Sequence, residues 1–370
     1  MDEVAQLPIM CLAYRNACIE CLEGYKILTF KQTSSMNNVL VTGGAGFIGL
    51  HLVRKLLSSP ENYGVAVIDD LSNNRGTFLS KIKHQIKSSC NKPFSFYKED
   101  IRNRAAVSDI ISRERIDTCI HLAARVNVPY SLENPADVID VNVRGTLEVL
   151  EACAQNVVKN FIFASSAAVY GNPIKLPLAE ECPVQPLSPY GASKAAGEAL
   201  LSSYRQFAGI RNAVSLRIFN VYGPGQNPAY AGVITSFARR LECSQKPLIY
   251  GDGNQTRDFI HVSDVVDCII LAAQNQIYKI PKRSKMQSRP YLPFPLGVFN
   301  VGTGVPTSVT ALAKRMIAIF GSDQEPIYCV GRDKEEIKYS YADTSKAKYF
   351  LKFKAIENLD SGLKQTLAPR

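Results

Sequence analysis

Short runs of β-branched residues alternate with longer helical patterns from Met36 to about residue 220. The short runs predict strands over 38–42, 64–69, 94–98, 117–122, 160–165 and 213–218. Apolar residues at helical spacing predict helices over 46–58, 103–113, 134–156 and 188–207. Alternation of this kind is typical of an α/β fold with a doubly wound parallel sheet, because each helix packs back on a face of the sheet.

The length of the chain favours more than one structural unit. A chain of 370 residues is expected to form two domains or one large α/β unit. Proline and glycine become frequent over 221–232, which indicates a change of domain. We therefore expect one domain over 36–220 and a smaller α/β domain over 221–370, from which segments around 258–275 return to the first.

Residues 1–35 precede the first predicted strand and form an extension. They are either an arm packed on the body or a segment upstream of a true start at Met36. Acidic residues follow Met1 directly, and polar residues interrupt the apolar run, so we expect no signal peptide. No uncharged apolar run reaches about 18 residues, so we expect no membrane span.

The ten cysteines are scattered along the chain. Without a signal peptide they indicate reduced thiols and a cytoplasmic location. Cys18 and Cys21 form a C-x-x-C motif with Cys11 nearby, but no second pair follows at the spacing of a zinc site. We therefore expect no metal.

Basic residues outnumber acidic residues 43 to 33, a net charge of +10 that raises the question of a nucleic acid partner. The excess lies in two segments that are expected to be loops, 75–92 and 276–296, each with five basic residues and no acidic one. Neither segment has the regular aromatic interleaving of a base-stacking surface. We therefore expect no nucleic acid partner, and expect the two loops to attract anionic ligands.

A glycine-rich loop joins the first predicted strand to the first predicted helix. Its sequence over 42–49 is Thr-Gly-Gly-Ala-Gly-Phe-Ile-Gly. Glycine at 43, 46 and 49 permits a tight turn, close approach of a pyrophosphate and close packing of the helix on the strand. Backbone N–H groups at the helix N-terminus can bind the phosphates. The loop predicts a dinucleotide-binding (Rossmann) site.

The second predicted strand ends at Asp69, twenty residues after Gly49. A carboxylate there can accept both hydroxyl groups of an adenosine ribose and repels a 2′-phosphate, so NAD is favoured over NADP. Asp70 is interpreted as a turn residue. The nearby Arg75 keeps NADP open as an alternative.

Tyr190 and Lys194 lie four residues apart near the start of a predicted helix and share one face of it. A tyrosine that acts as a base near pH 7 needs its pKa lowered by about 3 units, and a nearby ammonium group is suited to do this. Ser166 follows a predicted strand, where ligands of such sheets bind, and is the candidate for assisting Tyr190. Ser165 is the second choice.

These residues together resemble the extended short-chain dehydrogenase/reductase family, in its NAD-dependent nucleotide-sugar epimerase/dehydratase branch. The resemblance covers 37–353 and is most specific to UDP-glucose and UDP-N-acetylglucosamine 4-epimerases. Its markers lie in order along the chain: TGGAGFIG at 42–49, Asp69, Asp100-Ile101, HLAA at 121–124, Asn142-Val-Arg-Gly-Thr146, SSAAVYG at 165–171, YGASK at 190–194, Arg217-Ile-Phe-Asn220 and Arg257-Asp-Phe-Ile-His261.

The resemblance implies a tightly held NAD. The residues that it assigns to the cofactor are Gly43, Gly46, Phe47, Ile48, Gly49, Asp69, Asp100, Ile101, Leu122, Ala123, Ala124, Asn142, Tyr190 and Lys194. It also implies a homodimer, for which the helices over 103–113 and 134–156 are the candidates.

The resemblance further implies a UDP-sugar substrate that binds mainly to the smaller domain. Tyr190 takes the proton of the sugar 4-hydroxyl with help from Ser166 while hydride passes to NAD, and the transient 4-keto sugar is reduced on its other face. The residues assigned to the substrate are Ser166, Asn220, Val233, Tyr250, Arg257, Glu336 and Ser340. For Arg257 the alternative is a structural ion pair with Asp258 or Asp264, and Arg332 matches the family's diphosphate-binding arginine only with a one-residue bulge.

The positions after Ser166 separate the reactions of this branch. Family 4,6-dehydratases have Asp and Glu there and decarboxylases usually have Glu at the second, whereas this chain has Ala167 and Ala168. Ser340 occupies a position that is a bulky Tyr in epimerases restricted to glucose and galactose, so room for an N-acetyl group is expected. A UDP-glucuronate 4-epimerase and a non-catalytic NAD-binding regulator stay open as alternatives.

Overall fold

The computed structural model describes residues 37–61, 63–73, 93–226, 232–274, 297–330 and 337–367. Several features predicted from sequence lie outside these ranges: the extension over 1–35, Arg75, the basic segments 75–92 and 276–296, Arg332 and Glu336.

The largest element is a seven-stranded sheet in which every neighbouring pair is parallel. Its strands are β1 (Asn38–Thr42), β2 (Gly64–Asp69), β3 (Phe94–Lys98), β4 (Thr118–His121), β5 (Asn160–Ser166), β6 (Asn212–Ile218) and β10 (Val298–Val301). The order across the sheet is β10-β6-β5-β4-β1-β2-β3. The predicted doubly wound parallel sheet is confirmed, and the winding direction reverses between β1 and β4, where such folds bind ligands.

Helices cover both faces of this sheet, and three more pack beside two smaller sheets. They are α1 (Phe47–Ser58), α2 (Arg104–Arg113), α3 (Val128–Glu133), α4 (Pro135–Ile139), a π-helical turn (Asp140–Arg144), α5 (Gly145–Gln155), a 3-10 turn (Ala167–Val169), α6 (Pro189–Phe207), α7 (Val233–Glu242), α8 (Val262–Gln274), α9 (Val309–Ile319), α10 (Ser345–Phe350) and α11 (Leu359–Leu367).

All four predicted helix starts, Asn134 before α4 among them, turn out to be N-cap residues, one position before the helix. Gly46 caps α1, Asn103 accepts from the amide of Ala106, and Ser188 accepts from the amide of Gly191. Asparagine and serine satisfy amides that have no partner inside the helix, which is why a helical pattern begins directly after them.

Five short strands form two smaller sheets. They are β7 (Asn220–Tyr222), β8 (Leu248–Tyr250), β9 (Thr256–His261), β11 (Pro306–Ser308) and β12 (Ile327–Cys329). The central β9 pairs parallel with β7 and antiparallel with β11, and β8 pairs parallel with β12. The sequence pattern did not predict these strands. Four of them have only three residues, too few for a periodicity that can be recognised, and the six-residue β9 was also missed.

Separate apolar clusters fill the two faces of the large sheet and the region around the small ones. Buried residues of α1 and α8 pack on one face, those of α2 and α5 on the other, and those of α7, α9 and α11 form a third cluster. The helix α8 and the strand β10 both belong to the large sheet's layers although they come from the second half of the chain.

Two observations concern the length of the helices and the grouping of potential metal ligands. Over the ranges that the structure describes, no helix has both the length and the apolar composition to cross a bilayer. The same ranges contain no cluster of three or more His, Cys, Asp or Glu side chains arranged as a metal site.

Candidate active site

The glycine loop makes a backbone turn that excludes side chains at two of its positions. Gly43 has φ +69° and donates its N–H to the carbonyl of Ile68 at 2.8 Å. A Cβ at Gly43 would lie 2.6 Å from the backbone nitrogen of Ala123, and one at Gly49 would lie 2.3 Å from the carbonyl oxygen of Gly43. The loop therefore requires glycine at both positions, and Phe47 and Ile48 begin the helix that follows it.

Asp69, the last residue of β2, supports the glycine loop directly. Its Oδ2 accepts from the amide of Ala45 at 2.9 Å and its Oδ1 from the amide of Leu71 at 2.8 Å. Burial raises the pKa of this carboxyl group, and the two amide hydrogen bonds act in the opposite direction. Each oxygen keeps acceptor capacity beyond its amide bond, so the group fits two ribose hydroxyls and is unsuited to a 2′-phosphate. The glycine cradle and this carboxylate together fit NAD.

The other residues assigned to the cofactor lie at the same carboxyl edge of the sheet. Leu122 and Ala123 follow β4 and donate to Thr42 of β1, and Ala124 comes next. Asp100 follows β3 and forms an ion pair with Arg102, which lowers the pKa of the Asp100 carboxyl group.

Asn142 lies in the π-helical turn between α4 and α5 and is 2 % exposed. Its side chain accepts from the amide of Arg125 at 2.7 Å and donates to the carbonyl of Arg125 at 3.0 Å and to Ser193 Oγ at 2.9 Å. These bonds join the segment after β4 to the residue before Lys194. Asn142 therefore holds these two segments together, in addition to its predicted contact with the cofactor.

Tyr190, Lys194 and Ser166 come together where β5 ends and α6 begins. Tyr190 lies in the first turn of α6, and Ser166 is the last residue of β5 and a hydrogen-bond partner of its hydroxyl group. Lys194 Nζ donates to the carbonyl of Ala164 at 2.8 Å and lies 6.0 Å from the centroid of the Tyr190 ring. The three side chains predicted to be catalytic are therefore neighbours.

Burial shifts the pKa values of Lys194 and Tyr190 in opposite directions. It lowers the pKa of Lys194 to about 7, and it raises the pKa of Tyr190, against which the Ser166 hydrogen bond acts. The lowered tyrosine pKa expected from the sequence is thus not produced by these protein groups alone, because loss of hydration disfavours the phenolate. A further positive charge beside the phenol is required for a base near pH 7.

Ser165, the second choice for catalysis, has a structural function. It is 3 % exposed and donates to Glu198 Oε1 at 2.6 Å. Glu198 in turn accepts from Arg217 at 2.9 and 2.8 Å, and Arg217 stacks on the ring of Tyr170. The family marker at Arg217 therefore belongs to a buried ion pair that sequence reasoning did not assign, and Ser166 is the serine left for the reaction.

The residues assigned to the substrate come from separate segments around β9. Asn220 begins β7 and donates to the carbonyl of Asp258 at 3.2 Å, and Arg257 lies on β9. Ser340 is 8 % exposed and donates its amide to the carbonyl of Thr256 at 3.1 Å. Asn220, Arg257 and Ser340 are thus brought to one small sheet, whereas Val233 begins α7 and Tyr250 ends β8.

Asp258 organises this region and was missed by the sequence analysis except as an alternative partner of Arg257. It is fully buried, and its Oδ1 accepts from the amide and hydroxyl groups of Thr303. Its Oδ2 accepts from the amides of Gly304 and Ala342 at 2.9 and 3.1 Å. One carboxylate therefore joins β9 to two distant loops. Asp264, the other alternative, accepts from the backbone amides of Ile356 and Glu357.

The comparisons with known proteins agree with this geometry. Residues 39–281 match the model of the NAD dependent epimerase/dehydratase family. The UDP-glucose 4-epimerase of Mycolicibacterium smegmatis is 34 % identical over 330 residues, covering 89 % of this chain and 96 % of that protein.

Two solved structures are also similar to the chain. The UDP-glucose 4-epimerase of Thermotoga maritima, solved with UDP-glucose, has a TM-score of 0.75 and 35 % identity, covering 89 % of this chain and 97 % of that one. The UDP-N-acetylglucosamine 4-epimerase of Methanobrevibacter ruminantium has a TM-score of 0.77 and 33 % identity, covering 90 % and 98 %. With the parallel sheet, the glycine loop and the Tyr190–Lys194 pair, these matches show that the chain belongs to the NAD dependent epimerase/dehydratase family.

Proposed function

We propose that the chain is an NAD-dependent UDP-sugar 4-epimerase that acts on UDP-glucose and UDP-galactose, and also on UDP-N-acetylglucosamine and UDP-N-acetylgalactosamine. The observation that carries the proposal is the grouping of Tyr190, Ser166 and Lys194, followed by alanine at both positions after Ser166. The similar proteins named above support the UDP-sugar class of the substrate.

The proton step belongs to Tyr190 and Ser166. Bound NAD supplies the hydride acceptor and donor at sugar C4, and a positive charge on its oxidised ring. Tyr190 Oη takes the proton of the sugar 4-hydroxyl group and later returns one. The hydrogen bond between Ser166 and Tyr190 holds the phenol hydroxyl group in place for this transfer. Lys194, when protonated, stabilises the phenolate, and its bond to the carbonyl of Ala164 holds the ammonium in place.

The residues after Ser166 favour epimerisation over elimination of water. Ala167 and Ala168 begin a 3-10 turn, in which the amide of Ala168 donates to Ser166 Oγ at 3.2 Å. Dehydration of a 4-keto sugar requires an additional acid and base near C5 and C6, and methyl side chains supply neither. Ala167 and Ala168 therefore supply no acid or base for dehydration, and the 4-keto sugar is reduced back to a 4-hydroxyl sugar.

The substrate diphosphate is proposed to bind Asn220 and Arg257, because a guanidinium group matches phosphate oxygens in pairs. Val233 and Tyr250 are proposed to line the nucleoside site, and Glu336, which matches an acidic position of the family, is proposed as a further substrate residue. Ser340, next to β9, is proposed to leave space for an N-acetyl group on C2 of the sugar. A homodimer through α2 and the helices over 135–155, and a cytoplasmic location, complete the proposal.

Substitution of Tyr190 by Phe tests this function. The purified wild type is assayed with UDP-glucose, UDP-N-acetylglucosamine and UDP-glucuronate, and bound NAD is measured by ultraviolet absorbance after denaturation. Tyr190→Phe is expected to keep the NAD and to lose about 10³-fold in kcat, because it removes the base alone.

Tyr204→Phe is the matched control for Tyr190→Phe. Tyr204 lies on the same helix and is 5 % exposed, and its hydroxyl group donates to Glu151 away from the site. It should keep full turnover. Undiminished activity of Tyr190→Phe would refute the mechanism, turnover of UDP-glucuronate alone would replace the substrate, and NAD binding without any turnover would point to a regulator.

A further inference from the structure

His121 is a buried titratable group that the proposed mechanism does not use. It is the last residue of β4 and 1 % exposed. Its Nδ1 lies 2.7 Å from Thr42 Oγ1, and its Nε2 lies 3.0 Å from Thr146 Oγ1. Both ring nitrogens therefore have a hydroxyl partner, one on the strand before the glycine loop and one on α5.

The partners determine which ring nitrogen carries the proton. Thr146 Oγ1 donates its own hydrogen to the carbonyl of Asn142 at 2.5 Å, so it can only accept from His121. The hydrogen of the ring must then be on Nε2, and Nδ1 must accept from Thr42. Thr42 Oγ1 keeps a lone pair that accepts the amide of Ala123 at 3.4 Å. Each hydrogen bond in this chain therefore has one defined donor and one defined acceptor.

The chain of bonds reaches the helix with the catalytic residues. Asn142, whose carbonyl accepts from Thr146, donates through its side chain to Ser193 Oγ at 2.9 Å. Ser193 donates to the carbonyl of Tyr190 at 2.7 Å. His121 thus links β1, which carries the glycine loop, to the backbone of α6 at the catalytic pair.

The surroundings of His121 keep it neutral. Its ring stacks on that of Phe163 at 5.9 Å between centroids with an interplanar angle of 19°, and Lys194 Nζ lies 5.0 Å from the same Phe163 ring. Burial, with the charge of Lys194 as the second cause, lowers the pKa of His121 to about 3. A neutral ring is what the hydrogen bond from Thr42 to Nδ1 requires.

We propose that His121, held as the neutral Nε2–H tautomer, is a positioning residue that keeps the glycine-loop strand and the Tyr190–Lys194 helix in one arrangement. Its effect on turnover rests on the proposed function, whereas its tautomer and its link between β1 and α5 do not. The ring of His121 hydrogen-bonds to Thr42 and Thr146, neither of which is assigned to the cofactor or the substrate, and it acts through these two residues.

The first experiment measures the tautomer in the intact protein. Histidine ring nitrogens are labelled with ¹⁵N, and long-range proton–nitrogen spectra are recorded from about pH 5 to about pH 8. The chain has four histidines, so the signals of His121 are identified by their loss in His121→Phe. We expect one protonated and one unprotonated nitrogen, Nε2 and Nδ1, unchanged over this range. A protonated Nδ1, or a ring that titrates in it, overturns the proposal.

The second experiment compares Thr146→Val with Thr146→Ser in the NAD-loaded enzyme. Valine removes the hydroxyl group that receives Nε2–H, and serine retains it. We expect Thr146→Val to lower kcat about tenfold to hundredfold with KM changed less than about twofold, because a small misplacement of the pair affects the reaction more than binding. The rising limb of its kcat against pH should move to higher pH, since a looser Lys194 stabilises the phenolate less.

Thr146→Ser should keep both the wild-type kcat and the wild-type pH profile. Equal kcat and pH profile in both variants, or equal losses of kcat, NAD content and thermal stability, would show that the hydroxyl group only supports the fold and would overturn the positioning. If the wild type turns over no UDP-sugar, the proposed function fails, and the ring spectrum together with the NAD content of the Thr146 pair still decides the link that His121 makes.

Discussion

The cofactor side and the substrate side of the site are held together by different means. The cofactor side is a backbone turn in which Gly43 and Gly49 leave no space for a Cβ. The substrate side is joined by one buried carboxylate, Asp258, which accepts four hydrogen bonds from two loops. The first arrangement depends on short-range sterics along a contiguous motif, and the second on contacts between distant segments.

The two sides are therefore sensitive to different kinds of substitution. An added methyl group on the cofactor side displaces backbone against backbone, which cannot be relieved by a rotamer change. A lost acceptor on the substrate side leaves buried N–H groups without partners, which weakens the attachment of the loops.

Gly49→Ala should abolish function through the cofactor. Its Cβ would lie 2.3 Å from the carbonyl oxygen of Gly43, so the loop must shift. We expect loss of bound NAD, measured by absorbance after denaturation, and a fall in kcat/KM of at least about 10²-fold. Gly232→Ala is the control for bound NAD, because a Cβ there meets nothing within 4 Å and the residue has an ordinary φ of −72°. Retention of NAD by Gly49→Ala would contradict the explanation that the loop has no space for a side chain at this position.

Lys194→Met should make the folded protein more stable below neutral pH. The folded-state pKa of Lys194, about 7, lies below the unfolded value of 10.5. The free-energy cost of burying the charged ammonium group is therefore fully present below pH 7. The penalty disappears as pH rises toward the unfolded pKa. We expect the variant to gain a few kcal/mol, at most about 5, at pH 6 and almost nothing near pH 10.

Denaturant unfolding of the NAD-free proteins at several pH values measures this difference. A stability difference between Lys194→Met and wild type that is constant across the range would contradict the lowered pKa. Lys348→Met, on the helix α10, is the control and should show no such trend.

Asp258→Asn should damage the substrate side alone. The amide group would place N–H donors against the donors of Thr303 or of Gly304 and Ala342. We expect a loss of about 2 to 4 kcal/mol in unfolding free energy, a raised KM for the UDP-sugar and unchanged NAD content. Asp252→Asn in an exposed turn serves as control. NAD lost in parallel with substrate affinity would mean that the two sides are not held independently.

Ser340→Tyr should change substrate choice with the smallest effect. A phenol ring in place of the small buried serine fills the space proposed for the N-acetyl group. We expect the kcat/KM for UDP-N-acetylglucosamine to fall at least about tenfold relative to that for UDP-glucose, as a steric conflict of this size is worth about 1 to 3 kcal/mol. Ser340→Ala should keep the wild-type ratio. An unchanged ratio in Ser340→Tyr would end the steric argument.

Sequence reasoning succeeded where short-range chemistry is decisive. The bounds of β1, β2 and β3 were predicted to the residue, and the four predicted helical segments begin one residue later than predicted because their predicted starts are caps. It did not distinguish the π-helical turn at Asn142 inside the helix predicted over 134–156. A π-turn adds one residue to a helical turn and leaves the apolar pattern almost unchanged, so periodicity does not reveal it.

Local patterns in the sequence specify the NAD-binding loop, the Tyr190–Lys194 pair and the alternating strands and helices that indicate the fold class, because each pattern lies within a short segment. The hydrogen bond of Ser165 to Glu198, the attachment of the substrate loops to Asp258 and the bridge of His121 between Thr42 and Thr146 arise only from the packing of distant elements. Those contacts join segments up to 84 residues apart. Their partners are chosen by the packing of whole elements, which no local pattern specifies.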